Sequence, residues 1–208
     1  MNIGHWVPVR ENFQSSTPAA PERCECGFDA QAKPMINEMI ADETRVLLKL
    51  EPHATCGFVR VTFISEKWIA PGGLQPPPFA EGRPVGSALY FMVTPVAPVR
   101  LHRIRNDQPY HYYLGNPIDV LMLHADGTIE RAVVGPDLRS GQCVQLLIPG
   151  NTVHTARIIG GRRWFLGAST EWPGVEPADV EVGDVDALAE KYPDVAGDLR
   201  AFQQGRGD

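Results

Sequence analysis

Residues 99–117 read VRLHRIRNDQPYHYYLGNP and combine a β-strand pattern with a dense set of chemically active side chains. Apolar and polar residues alternate along much of the stretch, which is typical of strands with one buried face. The same stretch contains His102, Gln108, Tyr110 and His111. It could therefore form a metal site, an acid-base site or a polar part of a core, and the surrounding sequence has to decide between them.

Strand-like runs with the same short period follow one another from residue 57 to residue 169. Turn signals such as Ala125-Asp126-Gly127 and Gly150-Asn151 separate them. Short strands at this spacing predict an all-β sandwich or barrel and not a βαβ sheet. The runs are GFVRVTFIS, SALYFMVT, VRLHRIR, QPYHYYL, IDVLMLH, TIERAVV, CVQLLIP, VHTARII and RRWFLGAS.

Helical patterns lie on both sides of the strands. Residues 34–50 place apolar side chains at helical spacing, which predicts one amphipathic helix or two short ones. Residues 184–202 return to this spacing and predict short C-terminal helices. The segment 66–84 is dense in Pro and Gly, which predicts a long loop of the kind that often forms a lid or a partner contact.

The length of 208 residues, with 43% hydrophobic residues, suits one well-buried core. Residues 1–33 are polar and rich in Pro and Ser, which predicts a partly ordered extension. Residues 204–208 predict a frayed tail. A single domain is therefore expected at residues 34–203.

Charge and cysteine content exclude several function classes. A net charge of −6 and a pI near 5.5 disfavour nucleic acid as a partner, because that partner requires clustered Lys and Arg. No apolar run reaches the roughly 18 residues of a membrane span, and the N-terminus lacks a secretory pattern, so a cytoplasmic protein without a membrane partner is expected. Cys24, Cys26, Cys56 and Cys143 lack the spacing of a structural zinc site and are interpreted as reduced thiols.

The chain also contains a distinctive series of segments: PHATCGFVRVTF, SALYFMVTP, LHRIRNDQPYHYYLGNPIDVLML, ADGTIERAVVG, LIPGNTVHTARI and FLGASTEWPGVEPADVEV. In this order and spacing they resemble the small-cupin family often labelled cupin 5. The resemblance covers residues 46–203, and Leu101–Pro117 is its most specific part. It implies a double-stranded β-helix barrel or jelly roll, usually a homodimer, with a small-molecule pocket at the barrel mouth.

The two cupin motifs are only partly present. By resemblance, His102 matches the first histidine of motif one, whereas Ile104 stands at the second histidine and Gln108 at the glutamate. His154 matches the histidine of motif two, and Asn151 stands where glycine is usual. His102, Gln108 and His154 could hold Ni, Fe, Mn or Zn, but exchanging Glu for Gln removes the anionic ligand. The site could therefore equally be free of metal.

Strand alternation sorts the remaining candidates by face. Gln108, Tyr110 and Tyr112 share one face, which leaves His111 on the other face unless Pro109 introduces a bulge. His111 is then either a substrate-binding residue or a packing residue, for example at a dimer face. In the segment PHATCGFVRV, where both family glutamates are missing, the arginine at position 60 remains. An inward-facing arginine would anchor a carboxylate or phosphate, and an outward-facing one would form an edge salt bridge.

A barrel pocket with these side chains could carry out proton transfer. Imidazole titrates near neutrality, and a tyrosine can donate a proton to a developing enolate. The favoured hypothesis is an isomerase, epimerase, cyclase or lyase of a small carbonyl compound, partly by analogy with metal-free cupin epimerases. The alternatives are a metabolite-binding cupin without catalysis and a metal-dependent dioxygenase. Catalytic candidates are His102, His154, Tyr90 and Tyr112, and substrate-binding candidates are Arg60, Gln108, Tyr110 and His111.

Overall fold

The computed structural model describes residues 39–74, 79, 81–159 and 164–203. These residues lie in a compact unit that spans Glu38–Asp208. The predicted extension 1–33, the tail 204–208 and the Cys24–Cys26 pair lie outside the described residues. The helices are α1 (Ala41–Leu47), α2 (Val185–Lys191) and α3 (Ala196–Gln203), with 3₁₀ turns at Leu138–Ser140, Pro177–Asp179 and Pro193–Val195.

The described strands carry most of the structure. They are β1 (Glu51–Pro52), β2 (Phe58–Ile64), β3 (Trp68–Ile69), β4 (Arg83–Pro84), β5 (Ser87–Val93), β6 (Val99–Ile104), β7 (Gln108–Gly115), β8 (Ile118–Leu123), β9 (Ile129–Val134), β10 (Gln145–Ile148), β11 (Val153–Ile158), β12 (Phe165–Glu171) and β13 (Val180–Val182). Each run predicted from the sequence overlaps one of these strands, so the predicted all-β architecture is confirmed.

Two antiparallel sheets form the body of the molecule. The first has the order β1-β2-β5-β12-β7-β10, and the second has the order β13-β6-β11-β8-β9. Neighbours in both sheets are often distant in sequence, as in a jelly roll that winds two sheets around one core. The predicted double-stranded β-helix of the cupin fold is what the strands form.

The main core lies between the two sheets. Phe91 and Phe165 from the first sheet pack in one cluster with Val120, Met122 and Ala156 from the second. Strand β8 reads IDVLML and is buried throughout, because its alternate residues face this core and a second cluster formed with the C-terminal helices. The sandwich therefore has one interior, and side chains that point into it are removed from water.

The predicted N-terminal helix is present as α1, which ends before Lys49, where the backbone turns left-handed (φ 53°). Residues 34–38 of the predicted span lie outside the described residues. In β2, Val61 and Phe63 are 55% and 53% exposed. The pairing of β2 with β5 shifts register between these two residues, and β1 covers only Phe58 and Val59 on the other edge of β2.

The Pro-rich loop contains a small hairpin that the sequence analysis did not predict, made by β3 and β4. Arg83 of β4 is 2% exposed and donates from Nε and Nη2 to the Asp179 carboxylate at 3.0 and 2.8 Å. The buried ring of Phe79 lies 5.2 Å below the Arg83 guanidinium. This ion pair attaches the hairpin to the turn before β13.

A tight turn before β11 positions the histidine of the second motif. Asn151 has a φ of 65°, and its amide donates to the Ile104 carbonyl at 2.7 Å. Gly150 leaves no room for a side chain, because a Cβ atom there would lie 2.4 Å from the Arg105 carbonyl oxygen. The turn thus locks the start of β11 against the end of β6.

None of the helices among the described residues has the length and apolar character needed to cross a membrane.

Candidate functional site

Two histidines from neighbouring strands meet inside the barrel. His102 of β6 and His154 of β11 are direct partners in the antiparallel register, and their ring centres lie 4.2 Å apart. Both side chains are buried. The shared interior face predicted for these two residues is confirmed. Val99 and His102 both face inward, because the pairing of β6 with β11 shifts register between them, while Leu101 faces the outer cluster.

Hydrogen bonds fix which ring nitrogen carries the proton. His102 Nδ1–H donates to the Arg100 carbonyl at 2.7 Å, which leaves Nε2 with a free lone pair in the neutral ring. His154 Nδ1–H donates to the Thr152 carbonyl at 3.3 Å. The Tyr110 hydroxyl therefore donates to His154 Nε2, at 2.9 Å. Of the two imidazoles, that of His102 has a ring nitrogen, Nε2, to which no described residue forms a hydrogen bond.

Burial determines the charge of these groups. It lowers the pKa of His102 to about 3, with a smaller contribution from His53. The pKa of His154 is well below its usual value, first through burial and then through the neighbouring His102. Burial raises the pKa of Tyr110, and nearby Cys56 and Glu171 add to the effect. At neutral pH the centre consists of two neutral imidazoles and a protonated phenol.

A second polar cluster occupies the same interior. Glu171, at the end of β12, pairs with Ser87 of β5, whose hydroxyl donates to the carboxylate at 2.5 Å. Ser169 donates to the other carboxylate oxygen at 2.6 Å and accepts a hydrogen bond of 2.8 Å from Gln108 Nε2. Ser169 is also the register partner of Tyr110, so this chain of hydrogen bonds lies beside the tyrosine.

The Glu171 carboxylate is unusual in its isolation. It is 1% exposed, and no Lys, Arg or His within the described ranges forms an ion pair with it. Burial raises its pKa, whereas the hydrogen bonds from Ser169, Ser87 and Gln108 act in the opposite direction. A buried carboxyl group without a counterion is typical of functional sites, because desolvation alone would disfavour it in a core.

Gln108 contributes an acceptor that the protein leaves unused. Its side chain is 4% exposed and points into the barrel, where Nε2 reaches Ser169. Its Oε1 atom is buried and has no hydrogen-bond partner. Such atoms are uncommon in folded proteins, since an unmet buried acceptor costs about 1–3 kcal/mol. The predicted interior position of Gln108 is confirmed.

Two predicted site residues lie outside the barrel. Arg60 and Tyr90 are register partners on β2 and β5, on the face opposite to the core. Arg60 is exposed, and its Nη1 donates to the Leu48 carbonyl at 3.3 Å. Tyr90 packs in the outer cluster around Leu50 and edge-on against Tyr113. The expectation that these residues line the pocket is wrong, because the alternation of β2 and β5 turns them outward.

Two further candidates sit on the predicted strand but away from the histidines. Tyr112 packs on the core next to Phe165, and its hydroxyl donates to the Gly115 carbonyl at 2.8 Å. His111 faces the other side of the sheet, as alternation predicted, and is hydrogen-bonded to Thr170 and Gln145 at 3.1 and 3.3 Å. Tyr110 is thus the tyrosine of β7 that reaches the histidine pair.

The sequence analysis missed Glu171, Ser169 and Ser87. The signal was present in β12, where alternation from Phe165 places Gly167, Ser169 and Glu171 on one inward face. It was obscured because Glu171 lies outside both cupin motifs and next to a turn at Trp172. The carboxylate that motif one lacks is therefore present in the interior, on a different strand.

A small surface pocket of about 250 Å³ lies near one sheet edge, and His53 and Arg100 line it with Phe58, Pro98 and Phe202. Arg100 Nη1 donates to the Ala54 carbonyl at 3.0 Å. Neighbouring Cys56 is a buried free thiol, and burial raises its pKa to about 11. The expectation of reduced thiols is confirmed for Cys56 and Cys143, the two that are described.

The proposed metal ligands do not form a coordination site as they stand. In the part of the chain that the structure describes, no three His, Cys, Asp or Glu side chains are placed to hold a metal ion. His154 Nε2, the nitrogen a metal would need, is bonded to Tyr110. Both oxygens of Glu171 are bonded to serines. As placed, this donor set does not fit a transition metal, and whether the protein contains a metal is left to measurement.

Comparison with known families identifies the fold. The family model Cupin_5, described as cupin superfamily (DUF985), matches residues 43–183. The chain belongs to the Cupin_5 family. The resemblance found in the sequence is thereby confirmed. No curated protein sequence matches this Cupin_5 chain.

Solved structures agree on the fold of this Cupin_5 protein. A hypothetical protein from Leishmania major superposes with a TM-score of 0.71 at 21% identity, covering 78% of this chain and 98% of its own. A protein from Shewanella oneidensis gives a TM-score of 0.68 at 24% identity, covering 79% and 97%. At these identities the likeness establishes the fold alone.

Proposed function

We propose that this Cupin_5 protein is an isomerase- or lyase-type enzyme that moves a proton next to the carbonyl group of a small molecule. Its acid-base groups are His102, Tyr110 and His154. The observation that carries the proposal is the 2.9 Å hydrogen bond from the Tyr110 hydroxyl to His154 Nε2, made inside the barrel beside His102. A base and an acid in one dry interior are what such a reaction requires.

The hydrogen bonds suggest a role for each group. His102 is the base, because its Nδ1–H is held by Arg100 and its Nε2 lone pair is available for a carbon-bound proton. Tyr110 is the acid: its hydroxyl proton, which His154 Nε2 accepts in the free protein, turns to the developing enolate oxygen when substrate is bound and is transferred to it. His154 is a positioning residue that orients the phenol through its Nε2. Both rings face one interior, which lets one small substrate contact base and acid together.

Burial has two opposing effects on the proposed base. The low pKa of about 3 keeps His102 unprotonated at neutral pH, so the base form is always present. The same burial makes the imidazolium, which His102 becomes when it accepts the substrate proton, unfavourable. The negative charge of the enolate that forms beside this ring would offset the cost, because opposite charges attract strongly in a medium of low dielectric.

Hydrogen exchange at carbon tests the proposal directly. Small ketones and hydroxyketones are incubated with the protein in D₂O, and loss of the α-proton signal is followed by NMR. His102→Gln and Tyr110→Phe should slow exchange by about 10²-fold or more. Tyr112→Phe is the matched control, since its hydroxyl bonds to the Gly115 carbonyl. Equal rates in Tyr110→Phe and Tyr112→Phe would refute the assigned acid.

A second candidate function is binding of a metabolite without catalysis. The unpartnered Oε1 of Gln108 supports it, because a bound ligand would supply the missing donor. Mass spectrometry of denatured, freshly purified protein tests for a stoichiometric small molecule. A metabolite that is retained and returned unchanged, with no exchange at carbon, would favour this function over the enzyme.

We also propose a homodimer, on the family resemblance, and light scattering after gel filtration would test it. A mass near twice 22.9 kDa would support the dimer, and a monomer would contradict it. The third hypothesis, a metal-dependent dioxygenase, needs at least three good iron ligands and depends on the metal measurement proposed in the Discussion.

A further inference from the structure

We propose that the barrel interior binds a small organic cation, specifically a primary ammonium group adjacent to a carbonyl, through Glu171 and Gln108. The inference rests on the proposed function, because the carbonyl is the group on which the proton transfer acts. It adds the chemical class of the substrate. It also replaces the expected carboxylate or phosphate anchor, Arg60, which lies outside the barrel.

Among the described residues, the interior contains hydrogen-bond acceptors to which no donor is bound. Gln108 Oε1 is buried and unpartnered, and His102 Nε2 holds a free lone pair because Nδ1 is the donor to Arg100. Glu171 adds a carboxylate. An ammonium group, with three N–H donors, complements such a set, whereas a second carboxylate would bring only acceptors.

The described Lys and Arg side chains provide no cation for Glu171. Arg83 forms the ion pair with Asp179 that attaches the β3–β4 hairpin, and Arg100 lines the separate surface pocket. Across the described parts of the chain, the ion pairs leave Glu171 without a counterion. An anionic ligand would therefore meet a buried carboxylate and no compensating charge, which is unfavourable in a medium of low dielectric.

The hydrogen-bonded cluster around Glu171 lies beside Tyr110 of the histidine cluster. Gln108 donates to Ser169, Ser169 donates to Glu171, and Ser169 is the register partner of Tyr110. A cation near Glu171 and Gln108 would thus lie next to the phenol that the proposed reaction uses. The ammonium would orient the carbonyl toward Tyr110, in the way that a fixed charge positions a substrate.

Three small ketones of similar size test the charge preference: aminoacetone, hydroxyacetone and pyruvate. They share a methyl ketone and carry an ammonium, a hydroxyl and a carboxylate, respectively. Calorimetric titration of the full-length protein should give a dissociation constant for aminoacetone at least tenfold lower than for hydroxyacetone, with pyruvate weakest. Pyruvate binding at least as tightly as aminoacetone, or no binding of aminoacetone, would overturn the inference.

Variants locate the preference within the protein. Glu171→Gln removes the charge and keeps the shape, and it should bring the affinities for aminoacetone and hydroxyacetone to within about twofold. Glu130→Gln is the control, since Glu130 pairs with His124 on the exposed side of the second sheet. If Glu171→Gln fails to fold, Gln108→Met removes the unpartnered acceptor and should weaken aminoacetone at least fivefold. If Glu130→Gln lowers the affinity for aminoacetone as much as Glu171→Gln does, the ammonium group does not bind at Glu171 and the assignment is refuted.

The same probes separate this inference from the proposed function. Exchange of the α-protons of hydroxyacetone or pyruvate, without preferential binding of aminoacetone, would refute the cation assignment and leave the proton-transfer enzyme intact. Binding of aminoacetone that depends on Glu171, without exchange of its α-protons, would support the cation site and contradict catalysis.

Discussion

His102 and His154 face each other across β6 and β11 with ring centres 4.2 Å apart, and the two residues are 1% and 0% exposed. Two imidazolium ions cannot share such a space, because their repulsion would add to the cost of desolvation. The pair therefore persists as neutral rings. This property links the stability of the protein to its pH response and, under the proposed mechanism, to its activity.

Acid should destabilise the protein through His102. The unfolded chain protonates this residue below about pH 6.5, whereas the folded chain does so only near pH 3. The unfolded state thus holds more protons in this window, and the free energy of unfolding falls as the pH drops from 6.5 toward 3, by up to roughly 5 kcal/mol. Urea titrations between pH 4 and 7 measure this slope.

The His102→Gln variant isolates this contribution. Its slope should be smaller than that of the wild type by about 1.4 kcal/mol per pH unit, the value for one proton. The comparison is needed because the raised pKa of Glu171 acts in the opposite sense above pH 4.5. Equal slopes in the wild type and in His102→Gln would contradict the neutral histidine pair.

The pH profile of activity should lack a histidine inflection. Because the pKa of both rings is depressed, kcat/KM for exchange should show no step near pH 6.5. An acidic limb that disappears in Glu171→Gln would instead report the buried carboxyl. A step near pH 6.5 that persists in Glu171→Gln would argue that the rings are hydrated during turnover.

Metal content should be low. His154 Nε2 is bonded to Tyr110, and the described residues assemble no set of three suitable ligands. Plasma mass spectrometry on untagged protein purified without chelator should find well under one transition metal ion per chain. Tyr110→Phe removes the hydrogen bond to His154 Nε2 and makes this nitrogen available to a metal, so its metal content should not fall below that of the wild type. A stoichiometric metal in the wild type that is lost in His154→Ala would contradict this prediction.

The Arg83–Asp179 pair should be a major source of stability for the hairpin loop. Arg83→Met leaves a buried carboxylate that retains Arg105 at 2.8 Å and the Glu176 amide at 2.9 Å, and we expect a loss of about 3 kcal/mol in unfolding free energy. Arg103→Met is the matched control, because its pair with Glu181 is exposed and should contribute less than about 1 kcal/mol. Chemical denaturation of both variants measures the two unfolding free energies. Similar decreases in the two variants would contradict a larger contribution from the buried Arg83–Asp179 pair.

The sequence was most informative where a single physical preference dominated. Alternation predicted the strands, and it placed Tyr110 inward and His111 outward correctly. Arg60 and Tyr90 could not be placed in the same way, because the face of a strand depends on which sheet neighbours it acquires, and β2 also changes register. The choice between Tyr110 and Tyr112 depended on hydroxyl contacts that are set by Gly115 and His154.

The carboxylate was missed for a different reason. Glu171 reaches the interior only because β12 lies between β5 and β7, a pairing between segments far apart in sequence. Local spacing contains no information about that adjacency. The Gln108 side chain at the usual glutamate position predicts a weakened metal site, but it could not show that an acidic residue lies on another strand of the interior.

Asn151 has a further consequence for how this family is recognised. Its φ of 65° lies in a region that glycine enters freely and asparagine enters more readily than most other residues. The position that the second cupin motif usually assigns to glycine is therefore defined by a torsion angle and not by a residue type. A search pattern that accepts either residue there would retrieve distant members that a glycine-only pattern discards.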